Sequence, residues 1–202
     1  MIRLYQISTT LSTVFQKPVD KISNILYNIC MKHDMKALFA EKVQGFRLPR
    51  YRELPNMGLY LEQVTKYING LIVPIGCAEI TSSMVSNYVK KGVIAPPVKK
   101  QYDAEQIAYL IAISFIKSVL SLENITRLFI MQKETYDSET AFNYFCTELE
   151  NMLQVISGIK DTVDTIGETN SEVKTMLRST TMAVSHIVFI ANCFTVLNEE
   201  EE

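Results

Sequence analysis

Residues 80–91 separate polar and apolar side chains onto opposite faces of a predicted helix. At 3.6 residues per turn, Ile80, Met84, Val85 and Tyr88 fall on the apolar face. The opposite face has short hydroxyl and amide side chains, a lysine and no carboxylate. Such groups donate to phosphate oxygens and reach base edges, and lysine supplies the counter-charge. We therefore expect DNA contacts from this face, although an ordinary solvated helix can show the same composition: Ser82, Ser83, Ser86, Asn87 and Lys90.

Basic side chains flank this helix in loops that contain prolines. Residues 47–58 have two prolines, one glycine and no periodicity, which is typical of a loop. A second basic group lies at the tip of the loop that begins with Pro96 and Pro97. Lysine and arginine in such loops bind phosphates, and each contact adds about one unit to the salt dependence of affinity. The predicted phosphate ligands are Arg50, Arg52, Lys91, Lys99 and Lys100.

The net charge of −2 conceals an uneven distribution over the 202 residues. Residues 42–100 contain nine basic and three acidic side chains, a local charge of +6. Residues 134–202 contain three basic and thirteen acidic side chains, a local charge of −10. This asymmetry predicts a basic module that meets an acidic partner and a separate acidic module that DNA would repel.

Hydrophobic periodicity predicts an all-α fold. Thr81 is a predicted N-cap and Gly92 a predicted C-terminal stop, and Asp103 with Gln106 resembles a capping box. Apolar residues three and four apart form a heptad seam across the last two helices, which predicts a helical hairpin, a dimer interface, or both. Residues 93–102 are expected to pair as a small β wing. The predicted helices cover 18–45, 59–71, 81–91, 103–119, a segment starting at Ser121, 138–166 with a possible break at Gly158, and 171–197.

The order of these elements resembles the winged helix-turn-helix domain of MerR-type regulators over about residues 59–131. The similarity is carried by Asn87-Tyr88-x-Lys-Lys91-Gly92-Val-Ile-x-Pro96, the basic wing, Tyr102-Asp103 and Leu120-Ser121-Leu122-Glu123. Residues 48–64 and 82–102 more closely resemble a bacterial family, domain-of-unknown-function family 1836, over about 48–131. The resemblance implies DNA binding and adds Tyr88 to the candidate DNA-binding residues. Two features depart from the MerR pattern: Ser86-Asn87 replaces an Arg-Tyr pair, and the link at 72–80 is long.

Other classes of protein find little support in the sequence. No nucleophile motif, phosphate-binding loop or metal-ligand spacing occurs, so we expect no enzyme activity, no catalytic residue, no metal site and no cofactor. Residues 179–197 contain no charged side chain and could just cross a bilayer. Their seven polar residues instead favour a helix buried in a bundle or dimer. We therefore expect a cytoplasmic protein without a membrane partner.

These inferences divide the chain into an N-terminal helical extension (1–45), a winged helix-turn-helix DNA-binding domain (46–133) and a helical dimerisation or effector region (134–202). The predicted function is sequence-specific regulation of transcription by a homodimer bound to double-stranded DNA. Whether a small-molecule effector exists stays open. The alternative is a helical protein-interaction adaptor that keeps the fold without binding DNA, which the two departures from the MerR pattern favour. A third hypothesis places a ligand pocket around His186 and Cys193.

Overall fold

The computed structural model describes residues 34–164, 166 and 171–199. The predicted helix from residue 18 therefore lies largely outside the described residues, and only its last part is described. Seven α-helices, two short 3₁₀ helices (Tyr51–Glu53 and Val73–Ile75) and two short strands make up the regular structure of the described residues, which agrees with the predicted helical fold. The helices are α1 (Met35–Val43), α2 (Leu61–Ile72), α3 (Ser82–Lys90), α4 (Ala104–Ile116), α5 (Leu122–Thr135), α6 (Ser138–Ile156) and α7 (Glu172–Glu199), and the strands are β1 (Leu59–Tyr60) and β2 (Gln101–Tyr102).

Side-chain caps begin the helices at or near the predicted positions. The Thr81 hydroxyl accepts from the Met84 amide at the start of α3, and Ser121 accepts from Asn124 at the start of α5. At α4, Asp103 and Gln106 form the predicted reciprocal capping box. These bonds satisfy amides that the first turn of a helix leaves without an internal partner. The cap predictions are therefore confirmed.

The small sheet pairs differently from the prediction. Leu59 lies opposite Tyr102, and Tyr60 lies opposite Gln101, so β2 pairs with the segment that precedes α2. Within residues 93–102 the expected pairing reduces to one bridge, between Val98 and Gln101. This bridge closes a two-residue turn, which we call the lysine turn (residues 98–101), with Lys99 and Lys100 at its tip.

Helix α4 is the centre of the hydrophobic core. Ten of its thirteen residues are buried, as its nearly uniform apolar sequence predicts. Side chains from α1, α2, α3, α6 and α7 pack into one cluster with it. Because Phe142 and Val184 belong to the same cluster as Val64 and Val85, the core runs without a break across residue 133, where the sequence suggested a domain boundary.

Helices α6 and α7 lie side by side in the same direction rather than forming the predicted hairpin. The Tyr136 hydroxyl, just before α6, lies 2.9 Å from the Ser171 hydroxyl, just before α7. Ten residues into α6, Glu148 meets Arg178, which is six residues into α7. Helix α6 ends at Ile156, Gly158 follows with a φ of +80°, and Lys160 donates to Asn151 of α6 at 3.0 Å. The hairpin prediction was wrong because Gly158 ends the helix ten residues before the predicted turn.

Two buried polar side chains of α7 form their hydrogen bonds with backbone carbonyls of the same helix. Thr181 and Ser185 are fully buried, and their hydroxyls donate to carbonyls one turn earlier. Among the described residues, α7 is the one helix long and apolar enough to span a membrane by length and composition, and 33% of its most apolar window is buried inside the protein.

Asn192 joins three separate parts of the chain near the end of α7. Its amide nitrogen donates to the Ile75 carbonyl at 2.9 Å, and its oxygen accepts from Lys42 Nζ of α1 at 2.9 Å. Gly76, with φ of +84°, lies so close that a β-carbon there would be 2.6 Å from Asn192 Nδ2. The link between α2 and α3 is thus held by a residue more than 100 positions away.

We expect Gly76→Ala to lower the free energy of unfolding by about 3 kcal/mol. About 1 kcal/mol of this is the cost of placing alanine in a left-handed backbone conformation. The remainder comes from displacing the buried Asn192 amide. Gly45→Ala is the matched control, because Gly45 has a φ of +76° and open space around its β-carbon position. Denaturant unfolding of both variants separates the two contributions. Equal losses in both would contradict the proposed role of Asn192.

Candidate nucleic-acid interface

The predicted polar face of α3 is exposed. Ser83, Ser86, Asn87 and Lys90 face solvent, and Ser82 is half-buried. The Ser86 hydroxyl donates to the Ser82 carbonyl at 2.8 Å, which leaves its oxygen able to accept a further hydrogen bond. We use the name polar face for these five residues. It presents hydroxyl, amide and ammonium groups within one short helix.

Tyr88 lies on the opposite side of α3. Its side chain is 4% exposed and packs in the core with Val85, and burial raises the pKa of its hydroxyl. The residue therefore anchors α3 to the protein and does not belong to the polar face. Its assignment to DNA contact rested on the resemblance alone, whereas the helical periodicity had placed it among the apolar residues.

Three exposed lysines extend the basic surface beyond α3. Lys91 forms the C-cap of α3, and Gly92 follows with a φ of +69°, as the sequence predicted. Lys99 and Lys100 occupy the lysine turn with φ values of +50° and +66°. Neither of these two forms an ion pair within the described part of the chain, so both ammonium groups are available to an external anion.

Left-handed backbone at two consecutive lysines is unusual. A two-residue hairpin turn with positive φ at both positions normally contains Asn-Gly or Asp-Gly, because glycine adopts this conformation without strain. The bridge between Val98 and Gln101 enforces it here, with hydrogen bonds of 2.9 and 3.1 Å. Strain of about 1 kcal/mol or more per residue persists where the surrounding structure compels it, often at a functional site.

Helix α2 connects α3 to the lysine turn. The Ser82 hydroxyl donates to Glu62 Oε1 of α2 at 3.2 Å. Directly before α2, Tyr60 pairs with Gln101 of the lysine turn. The start of α3 and the lysine turn are thus both attached to the N-terminal end of α2. The Glu62 carboxylate also brings a negative charge to this end of the polar face.

Asn69 fixes the long link between α2 and α3. Its side chain donates to the Ile80 carbonyl at 3.0 Å and accepts from the Ile80 amide at 2.9 Å. The helical pattern placed Asn69 on the outward side of α2, and nothing in its type or spacing distinguishes it from a solvated asparagine. This residue was therefore missed, although it positions the start of α3.

The two arginines that were predicted to bind phosphates both form ion pairs with carboxylates of α6. Arg50 forms two hydrogen bonds to the Glu150 carboxylate, at 2.8 and 2.7 Å, and this carboxylate raises the pKa of the Arg50 guanidinium. Glu150 also accepts from the Leu48 amide at 2.8 Å. Arg52 lies 2.7 Å from Glu139 but keeps 84% of its side chain exposed. Arg50 therefore attaches the loop to α6, whereas Arg52 remains accessible at the surface.

We expect Glu150→Ala to destabilise the fold by about 2 kcal/mol. The substitution leaves the partly buried Arg50 guanidinium and the Leu48 amide without their acceptor, and such unpaired groups cost more than the lost bond contributed. Glu123→Ala, which removes an exposed ion pair with Arg127 on α5, is the control and should cost about 0.5 kcal/mol or less. Chemical denaturation measures both. A loss as small as that of the control would show that solvent replaces Glu150 freely.

Comparison with known proteins identifies the chain by family. No curated protein and no solved structure shows a significant match to it. One family model, described as Domain of unknown function (DUF1836), matches residues 49–150. This range begins in the loop that carries Arg50 and Arg52, contains the polar face and the lysine turn, and ends at Glu150, the ion-pair partner of Arg50. The chain belongs to the DUF1836 family.

Proposed function

We propose that this protein is a sequence-specific DNA-binding regulator of transcription. In this proposal residues 59–131 act as a MerR-like winged helix-turn-helix, with α3 as the recognition helix and the lysine turn as the wing. The observation that carries the proposal is the exposed polar face of α3 together with the exposed ammonium groups of the lysine turn. Both are attached to the same end of α2.

The dimensions of α3 suit the major groove of DNA. Its nine residues extend over about 13 Å, and the groove is about 12 Å wide. Asn87 can form two hydrogen bonds with an adenine edge, and the serine hydroxyls can bond to either bases or phosphates. Lys90 and Lys91, at the end of the helix, would meet the phosphate backbone.

The proposal includes a homodimer formed through α7. The exposed positions of this helix recur three and four apart and carry no charge between Ser179 and Asn198. They include five large apolar side chains that are between 42% and 58% exposed: Met176, Met182, Ile187, Ile190 and Phe194. We call this strip the outer face of α7. Spacing of this kind favours packing against a parallel or antiparallel helix of a second copy.

A second copy would cover enough surface to form a stable interface. The outer face extends about 27 Å from Met176 to Phe194 at 1.5 Å per residue. Pairing two such strips would bury on the order of 1,000 Å², the lower limit for a specific interface. A two-fold dimer presents two recognition helices, which double the number of contacts with a palindromic site.

Selection of binding sites from random double-stranded DNA tests the proposed function. We expect a palindromic consensus and a dissociation constant below about 10⁻⁷ M, with affinity decreasing steeply as salt increases. Asn87→Ala should change the consensus, because a base-edge contact is lost while the phosphate contacts remain. Fluorescence anisotropy that shows no binding tighter than about 10⁻⁴ M at 50 mM salt would reject DNA binding.

A protein-interaction adaptor is the second candidate. It is favoured by the pairing of Arg50 with Glu150, which occupies a predicted phosphate ligand, and by the Glu62 carboxylate beside Ser82, which reduces the positive potential near α3. On this alternative, the polar face would bind a protein partner. Glu62→Gln discriminates between the candidates, because removing one negative charge should strengthen DNA binding severalfold and leave an uncharged protein contact almost unchanged.

A further inference from the structure

Helices α5, α6 and α7 enclose a cleft that no part of the proposed DNA interface uses. It consists of two adjoining cavities of about 50 and 130 Å³. Both are lined by Gln132 of α5, Ala141 of α6, and Val173 and Leu177 of α7, so these four residues separate or join the two cavities. A cavity of about 150 Å³ lined by apolar side chains is large enough to hold benzene.

The smaller cavity has aromatic walls. Tyr109, Phe129 and Phe142 line it, and the Tyr109 and Phe129 ring centres are 4.6 Å apart. The Tyr109 hydroxyl donates to Gln132 Oε1 at 2.9 Å, and Gln132 Nε2 donates to the Tyr136 carbonyl at 2.8 Å. The polar groups of Tyr109 and Gln132 are therefore satisfied, and the remaining surface of this cavity is suited to an apolar ring or chain.

Tyr144, beside the larger cavity, carries a polar group that lacks a partner. Tyr144 lines this cavity, and its buried hydroxyl forms no hydrogen bond among the described residues. Burial and the nearby Glu148 carboxylate raise its pKa to about 12, so the hydroxyl keeps its proton at neutral pH. Buried hydroxyls in folded proteins nearly always have a partner, so one that lacks a partner beside a cavity indicates that something else supplies it.

A buried carboxylate near Tyr144 also lacks hydrogen-bond partners. The Glu148 side chain is fully buried, and neither of its carboxylate oxygens accepts a hydrogen bond within the described part of the chain. Arg178 Nε lies 3.1 Å from Glu148 Oε1, yet the geometry is that of an ion pair without a directed hydrogen bond. Lys174 Nζ lies 5.7 Å from the centre of the Tyr144 ring. Neither Glu148 nor Arg178 lines either cavity, so among these three residues Tyr144 is the one whose hydroxyl lies nearest to a polar substituent in the larger cavity.

We propose that the cleft between α5, α6 and α7 binds a small, uncharged aromatic molecule that carries one hydrogen-bonding oxygen. The ring occupies the larger cavity, where its oxygen bonds to the Tyr144 hydroxyl, and any apolar extension enters the smaller cavity beside Phe142. This proposal depends on the cleft alone, so it stands whether or not the polar face of α3 binds DNA.

Phenol and benzene, which differ by one hydroxyl, are the probes that test this binding. Saturable binding of each to the full chain is measured by ligand-observed nuclear magnetic resonance. In the wild type we expect phenol to bind about fivefold more tightly than benzene, since one buried hydrogen bond contributes about 1 kcal/mol. Tyr144→Phe removes the partner with little change in the size of the cavity, and phenol should then bind no more tightly than benzene, because its hydroxyl would be buried without a partner.

Ala141→Leu is the second variant, because Ala141 lines both cavities and the added atoms fill the space. It should weaken the binding of both probes more than tenfold. If this variant does not fold, Tyr144→Phe still provides the decisive comparison. Absence of saturable binding of either probe up to 10 mM would overturn the proposal. A phenol preference that persists in Tyr144→Phe would also overturn it, because the oxygen would then bond elsewhere.

Discussion

Replacing Lys99 and Lys100 with glutamate is expected to weaken DNA binding by at least about 100-fold at 100 mM salt. Each lost phosphate contact removes about 0.9 from the slope of log affinity against log salt, so the double variant should lose nearly two units of slope. The loss should be similar for all DNA sequences, because in the proposed complex the lysine turn would meet phosphates and not bases. Fluorescence anisotropy at several salt concentrations, with specific and random duplexes, measures both quantities.

The unusual backbone of the lysine turn allows a second variant that separates binding from folding. Lys99→Asn with Lys100→Gly introduces the residues that positive φ values favour, so the free energy of unfolding should rise by about 1 kcal/mol. DNA binding should nevertheless weaken by at least about tenfold, because both ammonium groups are lost. A protein that is more stable yet binds more weakly would show that two lysines are kept here for their charge.

A matched charge reversal elsewhere controls for the net charge. Lys36→Glu with Arg127→Glu changes the net charge equally but acts on exposed residues of α1 and α5. Both lie outside the proposed interface, and at 100 mM salt the effect of an exposed charge extends over only about 10 Å, so this variant should bind almost as well as the wild type. Equal losses in the two double variants would contradict a specific role for the lysine turn.

Replacing Ile187 and Ile190 with glutamate is expected to raise the dimer dissociation constant by at least about 100-fold. These residues are adjacent on the outer face of α7, and a two-fold interface would bring four carboxylates together in an apolar environment. Burial of unpaired charge opposes association by several kcal/mol. Analytical ultracentrifugation over a range of protein concentrations measures the monomer–dimer equilibrium directly.

The control for this experiment is Ile130→Glu, which changes an isoleucine of α5 that is 54% exposed. Its dimerisation should match that of the wild type. A wild-type protein that stays monomeric at 100 μM would reject the proposed interface. Because α7 is also long and apolar enough to span a bilayer, flotation with phospholipid vesicles completes the test. Binding to vesicles that the two glutamates abolish would assign the outer face to a membrane and not to a second copy.

Interactions between residues close in the sequence explain why several helix boundaries could be predicted. Thr81, Asp103 and Ser121 each cap the amide three positions later, and Gly92 ends a helix through its own backbone freedom. Such effects act within one turn of a helix, so residue type and spacing suffice to predict them. The same periodicity predicted which side of α3 is polar and which side carries Tyr88.

The pairing of segments that are distant in the sequence could not be predicted from residue type and spacing. The strand partner of β2 is Leu59–Tyr60, about 40 residues earlier, and two-residue strands carry no alternation that could reveal it. The parallel arrangement of α6 and α7 also escaped prediction, because a heptad pattern shows which face packs but not the direction of the partner. In α6, Phe145 and Leu149 of that seam are buried within this chain, whereas Ile187 and Phe194 of α7 remain exposed.

The sequence by itself determined the helical character of the chain, the separation of basic and acidic halves, and the composition of the polar face. Only the tertiary structure decided which charged residues remain available. Arg50 and the lysines of the lysine turn look equivalent as basic residues in loops, yet Glu150, 100 positions away, engages Arg50 with two hydrogen bonds. Likewise nothing in the sequence indicates that Asn69 and Asn192 hold the link between α2 and α3. The reason is physical: caps and periodicity depend on neighbours in sequence, whereas ion pairs and buried amides depend on neighbours in space.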